Sequence, residues 1–333
     1  MRKKNCVAIS YTFIKDNKRT NTSGPVIPME NFFKKKTLNF ILLEQPLPGS
    51  QFNYGLISHW YNKKKVREIK IFPPFFSKNI INLNSNKTYL SLKIRDLYFN
   101  IILIFYIKFK IKYKKIDFLI SLECLNTSFF LIFKKILNIQ YVFYYIFDWS
   151  PKRYNSSLNR IYLKLDKFCT YFSSATWNIT YAINQYKIKK MKFNKKKISR
   201  QIYVPYSPYF KKNLIKKKWD PNKIIFSGGL IKENGARNLI PIFKKIHKKN
   251  RKIKLIILGD GEEKKFMEKQ AIKYNLEKKI KFYGYISNQN KIIEIQSQCA
   301  LGLAPYPNTI ETRKRFGDVI KIRMYFASCL PTI

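Results

Sequence analysis

The residues best suited to chemistry in this 333-residue chain sit at the ends of apolar runs. In open parallel sheets, ligands collect beyond the carboxyl ends of the strands, where helix N-termini turn free N–H groups toward anions. Ser227-Gly228-Gly229 closes one such run. Glycine there lets the backbone approach a phosphate with no side chain in the way; the same residues equally make a tight turn. Gly259-Asp260-Gly261 closes a second run and reads as a turn with left-handed glycines, since it does not extend to G-x-G-x-x-G. The segment FGDVIKIR at 316–323 opens a helix. Asp318 suits its N-cap, worth about 1 kcal/mol. Lys321 and the first-turn N–H groups suit a diphosphate, because charge-assisted hydrogen bonds are roughly twice as strong as neutral ones.

The elements that must position these turns follow a parallel α/β grammar, short apolar runs alternating with longer amphipathic segments. Cys6–Tyr11 reads as a first strand, Val26–Lys35 as a helix entered through Ser23-Gly24-Pro25, and Leu38–Leu43 as a second strand. Asp117–Leu122 and Tyr141–Phe147 read as buried strands, with helical segments at 88–113 and 125–138. Ser157–Phe172 places Leu158, Ile161, Tyr162, Leu165, Phe168 and Cys169 on one helical face. A polar, proline-containing break precedes a second series of strand, turn and helix units. The expected organisation is an N-terminal domain at 1–205, a linker at 206–222 and a C-terminal domain at 223–333.

Composition narrows the classes. The chain is 46% hydrophobic and 16% aromatic, enough to bury cores, and it carries a net charge of +47. Of its 66 basic residues only 12 are arginine, amid abundant Lys, Asn, Ile, Phe and Tyr, so part of the charge reflects coding bias. The lysines are spread along the chain without a helix-turn-helix, zinc or RNA-recognition signature, which argues against a nucleic-acid partner. An anionic membrane surface is the other partner that such a charge suits. Five widely spaced cysteines without a C-x-x-C pair read as buried thiols of a reducing, cytoplasmic compartment. The start, MRKKNCVAISYTFI, reads as a strand, since Ser10, Tyr11 and Thr12 break its apolar stretch. Leu97–Ile107 is too short to span a bilayer, which takes ~20 apolar residues.

From 223 to 333, IIFSGGLIKENGARNLIPIF, KIKLIILGDGEE, IKFYGYI, CALGLAPYP and GDVIKIRMYFASCLPTI follow one another as in family 4-like glycosyltransferases. The N-terminal half resembles a bacterial subset of that family associated with surface-polysaccharide and lipid-linked glycan assembly, through SGP at 23–25, LISLECLNTSF at 119–129 and YVFYYIFDWSPKRYNSSLNRIYLKLDKFCTYFSSATWNIT at 141–180. The resemblance implies the glycosyltransferase-B fold: two Rossmann-like domains with parallel sheets facing across a cleft. It implies transfer of a sugar from a nucleotide-diphosphate donor to a glycan or lipid-linked acceptor, with retained configuration and neither metal nor cofactor. It assigns the donor phosphates to Lys321, Asp318, Gly228 and Gly229, and to Ser23 and Gly24 in the first turn. Asp148 and, at lower weight, Glu123 become the catalytic carboxylates, with Trp149, Lys152 and Arg153 lining the acceptor side.

Three departures from the family pattern stand out. Gly228-Gly229 and Asn234-Gly235 replace the usual Gly-Arg and Lys-Gly, leaving Lys232 as a partial substitute without arginine's bidentate fork. The two family glutamates fall on Phe316 and Met324, and Cys329 replaces a glycine. A degenerate nucleotide-sugar-binding protein, or a sugar-nucleotide epimerase of the same fold, is the alternative. An epimerase would show acidic and histidine residues in its cleft, and this chain has only His59 and His247, the latter expected on a solvated helix flank. The last strand opens at Pro331 and the chain stops, so a C-terminally truncated second domain is expected.

Overall fold

The computed structural model describes residues 3–15, 17–19, 25–73, 86–111, 114–154, 156–206, 218–306 and 316–333. The chain divides into two compact units, one of residues 1–206 with 312–318, the other of 207–311 with 319–333.

The first unit begins with strand β1 (Asn5–Thr12), a hairpin of β2 (Ile14–Lys15) and β3 (Lys18–Arg19), helix α1 (Val26–Lys36) and strand β4 (Asn39–Pro46). Strands β5 (Gly55–Tyr61) and β6 (Lys64–Ile71), then helix α2 (Asn86–Phe105) with a π-helical turn at Tyr106–Ile111, come next. Strand β7 (Ile116–Leu122), α3 (Cys124–Ile132), β8 (Ile139–Ile146), α4 (Ser156–Phe172), β9 (Ala175–Asn178), α5 (Tyr181–Lys189) and β10 (Arg200–Tyr203) complete it. The eight-stranded sheet has the order β10-β9-β8-β7-β1-β4-β5-β6. Its period-2 alternation sorts each strand onto two faces. Val7, Ile9, Ile41, Leu43, Leu119 and Val142 meet α2 and α3, while Cys6, Ala8, Phe40, Leu42 and Ile120 meet α1.

The sheet is not wholly parallel, because β5 runs antiparallel to β4 and β6 antiparallel to β5. The β5–β6 connection is the two-residue turn Asn62-Lys63, both at positive φ (45° and 72°), the conformation that follows the right-handed twist of a hairpin. With lysine where glycine usually stands, the sequence hides it. The long segment expected at 88–113 is α2 plus the π turn, and no described helix is long and apolar enough to cross a membrane.

The second unit comprises β11 (Asp220–Ser227), α6 (Ala236–Lys249), β12 (Lys254–Leu258), α7 (Lys264–Lys273), β13 (Ile280–Gly284), α8 (Gln289–Gln296), β14 (Cys299–Leu303) and α9 (Ile320–Ala327). Its four described strands are parallel in the order β13-β12-β11-β14. Ile224, Phe226, Leu255 and Ile257 pack with α6 and α7; Ile225, Ile256 and Leu258 pack with α8 and α9. The residues at 331–333 lie along β14, Gly302 N–H donating to the Pro331 carbonyl (2.8 Å) and Ala304 N–H to that of Ile333 (2.7 Å). His247 is buried rather than solvated, since its ring packs on Phe243 at 5.7 Å and a ring nitrogen lies 3.3 Å from the Ile253 carbonyl oxygen.

One buried ion pair organises the far side of the first unit. Lys187 of α5 donates to Asp166 of α4 (2.6 Å) and to Thr170 (3.1 Å), and Asp166 also accepts from Tyr144 (2.7 Å) and from the Trp149 indole (3.2 Å). Removing one partner of such a pair strands the other charge in the core, at a cost of about 3–5 kcal/mol. Lys187→Met is therefore expected to lower unfolding free energy by that amount in urea denaturation. A loss below about 1 kcal/mol would show that the pair contributes no more than an apolar contact.

Candidate functional site

In the second unit the ends of three parallel strands are laced together by backbone. Beyond β11, Gly228 N–H donates to the Leu258 carbonyl (2.8 Å), and Gly259 N–H donates to that of Gly284 (2.8 Å). The next turn is tied in by Leu230 N–H to the Asp260 carbonyl (2.9 Å). Gly259 has φ +142°, and a Cβ on it would lie 1.9 Å from the Gly228 carbonyl oxygen, so only glycine permits the approach. The Gly259-Asp260-Gly261 turn thus shapes the site from behind.

Gly228, at φ +148°, turns its bare side toward Lys321, whose Nζ would stand 3.3 Å from a Cβ built there. Lys321 lies in the first turn of α9 and is buried. Its ammonium sits over the rings of Phe226 (3.8 Å) and Tyr306 (4.8 Å), an arrangement that keeps a cation in place through ring quadrupoles. One helical turn on, Tyr325 is wholly buried. Its hydroxyl accepts from Ser227 N–H (2.8 Å) and lies 3.2 Å from the Leu303 carbonyl oxygen, to which it donates, fastening α9 to β11 and β14. The sequence singled out Lys321 and the glycines but not Tyr325; an aromatic four residues after the lysine, on the same helical face, was the available signal.

The other donor-side candidates divide. Gly229 closes its turn by accepting from Asn234 Nδ2 (2.8 Å), so the asparagine that replaces the usual lysine is a structural brace. Lys232 is exposed in a 3-10 turn at Lys232–Asn234. Asp318 does not cap the last helix, which starts at Ile320 with Val319 as its N-cap. It belongs to the first unit, where its carboxylate accepts from Tyr206 N–H (2.9 Å). Met324 is buried in the apolar layer under α9, with Gln289 Nε2 3.3 Å from its sulfur, so a core side chain occupies the place of the family's second glutamate. Ser23 and Gly24 lie outside the described residues.

In the first unit the strand ends gather charge. Glu123 follows β7 at φ 69° and ψ 149°, a backbone region that costs a non-glycine residue on the order of 1–3 kcal/mol. Its carboxylate accepts from Lys93 (2.6 and 2.8 Å), from Tyr11 (2.7 Å) and from Tyr154 (3.3 Å). Tyr11 also reaches Asp96 (3.0 Å), and Lys93 lies 3.7 Å from the same carboxylate. Burial alone would raise the Glu123 carboxyl, but Lys93, Arg153 and the hydrogen bonds outweigh it and hold it at about 2. Burial wins at Asp96, whose carboxyl is pushed up despite Lys93 and Arg95. Glu123 is therefore a fixed anion at neutral pH. Charged K-I-R-D at 93–96 inside an otherwise apolar helix was the sequence signal for this cluster.

Asp148, beyond β8, differs: its side chain is 47% exposed and pairs with Arg153 at 3.4 Å. The Arg153 guanidinium lies over Tyr154 (5.9 Å) and Tyr162 (5.7 Å), and it also binds the Asp148 carbonyl. Lys152 is exposed beside them. Trp149, expected on the acceptor side, is instead a core residue, fully buried and edge-on to Phe316 (4.9 Å) and Tyr186 (5.6 Å). The apolar body of an indole with a partner for its N–H outcompetes exposure.

Residues 209–309 match the model of a protein family described as glycosyl transferases group 1. HepE of Anabaena in complex with UDP is 14% identical and shares the fold over 98% of this chain and 79% of its own, with a TM-score of 0.59. Sucrose-phosphate synthase of Thermosynechococcus elongatus is 10% identical over 99% of this chain and 80% of its own, with a TM-score of 0.62. The lipopolysaccharide outer core galactosyltransferase WaaB, in its apo form, is 14% identical over 98% and 79%, with a TM-score of 0.56. No curated protein sequence matches the chain. The chain has the glycosyltransferase-B fold, and the family match falls within its second series of strands and helices.

Two outcomes follow from this geometry. Tyr325→Phe leaves the Ser227 N–H and the Leu303 carbonyl buried without the hydroxyl, and is expected to cost about 1–3 kcal/mol in thermal or urea unfolding. The Glu123 carboxyl is lowered on folding, so its contribution is complete above its ordinary value of 4.5 and is lost as pH falls toward about 2. Acid titration of stability is expected to show an extra loss of about 3 kcal/mol over that range, absent in Glu123→Gln. Superimposable acid limbs for the two proteins would refute the assignment.

Proposed function

We propose that the protein is a glycosyltransferase that moves a sugar from a nucleoside-diphosphate donor to a hydroxyl of a glycan or lipid-linked acceptor. The observation that carries this is the Lys321 ammonium held beside the side-chain-free Gly228 at the carboxyl end of β11. In the transfer the bond from the anomeric carbon to the diphosphate breaks with its electron pair staying on the diphosphate, a bond to the acceptor oxygen forms, and the hydroxyl proton passes to the departing diphosphate. The demanding step is departure of the diphosphate, whose growing charge a preorganised cation stabilises. Lys321 supplies that cation, and Gly228 leaves room for the phosphate to reach it.

Asp148 is the carboxylate we assign to the acceptor, because it is accessible and oriented by Arg153, whereas every contact of Glu123 serves to hold a strained turn. Configuration is retained and no metal is required in this reading, which rests on the resemblance of the 223–333 segments to family 4-like enzymes. HepE binds UDP in its solved structure, which makes uridine diphosphate the first nucleotide to try. The epimerase reading finds no support at either histidine: His59 and His247 are both buried in packed cores.

Incubating the protein with UDP-, GDP- and ADP-sugars, with and without acceptor extracts, is expected to release nucleotide from one donor class. Lys321→Ala is expected to weaken binding of that nucleotide diphosphate by roughly tenfold or more, as befits loss of a charge-assisted contact of about 1.5–3 kcal/mol. Unchanged affinity in calorimetry would displace the phosphate site from Lys321. Binding without nucleotide release from any donor would mark the protein as catalytically degenerate.

A further inference from the structure

The outer surface of the helical layer on the first unit carries large apolar side chains that no described residue covers. Leu90, Ile94, Ile101 and Phe105 of α2 and Phe109 of the π turn are all exposed, Phe109 to 66%. Their spacings of four, seven, four and four residues put them on one stripe of a helix that rises ~30 Å over 20 residues. The rings of Phe105 and Phe109 stack at 5.6 Å. Ile132 at the end of α3 and Ile136 just after it are also exposed, 68% and 66%. Both helices pack on the same core, and Asn138 Nδ2 donates to the Lys114 carbonyl (2.7 Å), tying the segment after α3 to the segment before β7.

Charge accompanies the apolar stripe. Lys108, Lys110, Lys114, Lys115, Lys134 and Lys135 surround its C-terminal end. Across 89–115 and 124–138 the only acidic residue is Asp96, and it is buried. Contiguous exposed apolar surface rimmed by polar groups marks an interaction site. A helix with its apolar side outward and lysines at one end suits the boundary between acyl chains and headgroups, where well-placed lysines attract anionic lipid. A protein partner would need a matching acidic and apolar face. A second copy of this chain offers a net charge of +47 and repels.

We propose that the α2 stripe, with Ile132, Ile136 and the flanking lysines, docks the protein on an anionic phospholipid surface, α2 lying in the plane of the interface. The other end of the helix carries Lys93 against Glu123, so docking along its length brings the strand-end cluster of the first unit to the membrane boundary. This surface stands independently of the transferase reading, and it accounts for a lipid-linked acceptor if that reading holds.

The test is co-sedimentation of the full chain with vesicles of phosphatidylcholine alone or with added phosphatidylglycerol at moderate salt. Binding is expected only to the anionic vesicles. Phe105→Ser with Phe109→Ser is expected to weaken it by roughly tenfold or more, with unchanged circular dichroism, because both rings are already exposed. Lys134→Glu with Lys135→Glu is expected to weaken it at least as much, whereas the same charge change on α6, Lys248→Glu with Lys249→Glu, leaves it within about twofold. Equal loss from the two lysine pairs, or binding indifferent to the phenylalanines, would overturn the proposal. So would a concentration-dependent dimer that the phenylalanine variants abolish. Nucleotide binding by these variants, measured separately, reports on the transferase reading and not on the docking.

Discussion

The second unit is built around a contact between two backbones. Where β11 and β12 end, the Gly228 carbonyl and Gly259 approach so closely that a single methyl group would force the turns apart. The turns are then locked by the N–H of one strand end meeting the carbonyl of the next, from Gly228 to Leu258 and from Gly259 to Gly284. Gly228 turns its bare side toward Lys321 of α9, whose Nζ lies 3.3 Å from where a Cβ would stand. A side chain at Gly228 would crowd the lysine's Cε at 3.1 Å and press the ammonium away from the strand end. The site is thus defined as much by atoms left out as by those present.

The first unit takes the opposite course, crowding its interior with polar and charged side chains. Glu123, Lys93, Asp96, Tyr11 and Arg153 form one network, and Asp166, Lys187, Tyr144 and Trp149 another. Buried ion pairs offset their desolvation only when their remaining donors and acceptors are satisfied. Here the satisfying partners come from different elements: Tyr11 from β1, Lys93 from α2, Tyr154 from the loop before α4, and Trp149 from the loop after β8. Each network therefore joins segments far apart in sequence, and the loop bearing Asp148 and Arg153 runs between them. The accessible carboxylate inherits its position from groups that are not accessible.

Much of this was legible in the residues. The buried strands betrayed themselves by continuous Ile, Leu and Phe runs, and the glycine turns by their place after them, because burial and backbone freedom are local demands. What long-range packing decides was not legible. Nothing in Asn62-Lys63 announces a hairpin, since lysine adopts positive φ only under the pull of the strands on either side. Trp149 looked like a binding residue beside Asp148, but its indole found Asp166, 17 residues on, and Phe316, far beyond any local window. Asp318 looked like a cap and instead found the Tyr206 backbone, more than a hundred residues away in sequence. Positions whose partners are distant are those that sequence patterns describe least well.

The end of α9 shows a different kind of consequence. Leu330 N–H donates to the Tyr325 carbonyl (2.9 Å) and Cys329 N–H to that of Phe326 (3.0 Å), with Cys329 at φ 55°, the paired bonds of a Schellman terminus built without its usual glycine. The other four cysteines are buried, and burial raises their thiols, that of Cys299 to about 12. Cys329 alone is exposed. The helix that presents Lys321 therefore ends in the one exposed thiol, a native attachment point for a fluorophore or spin label two turns from the proposed phosphate site.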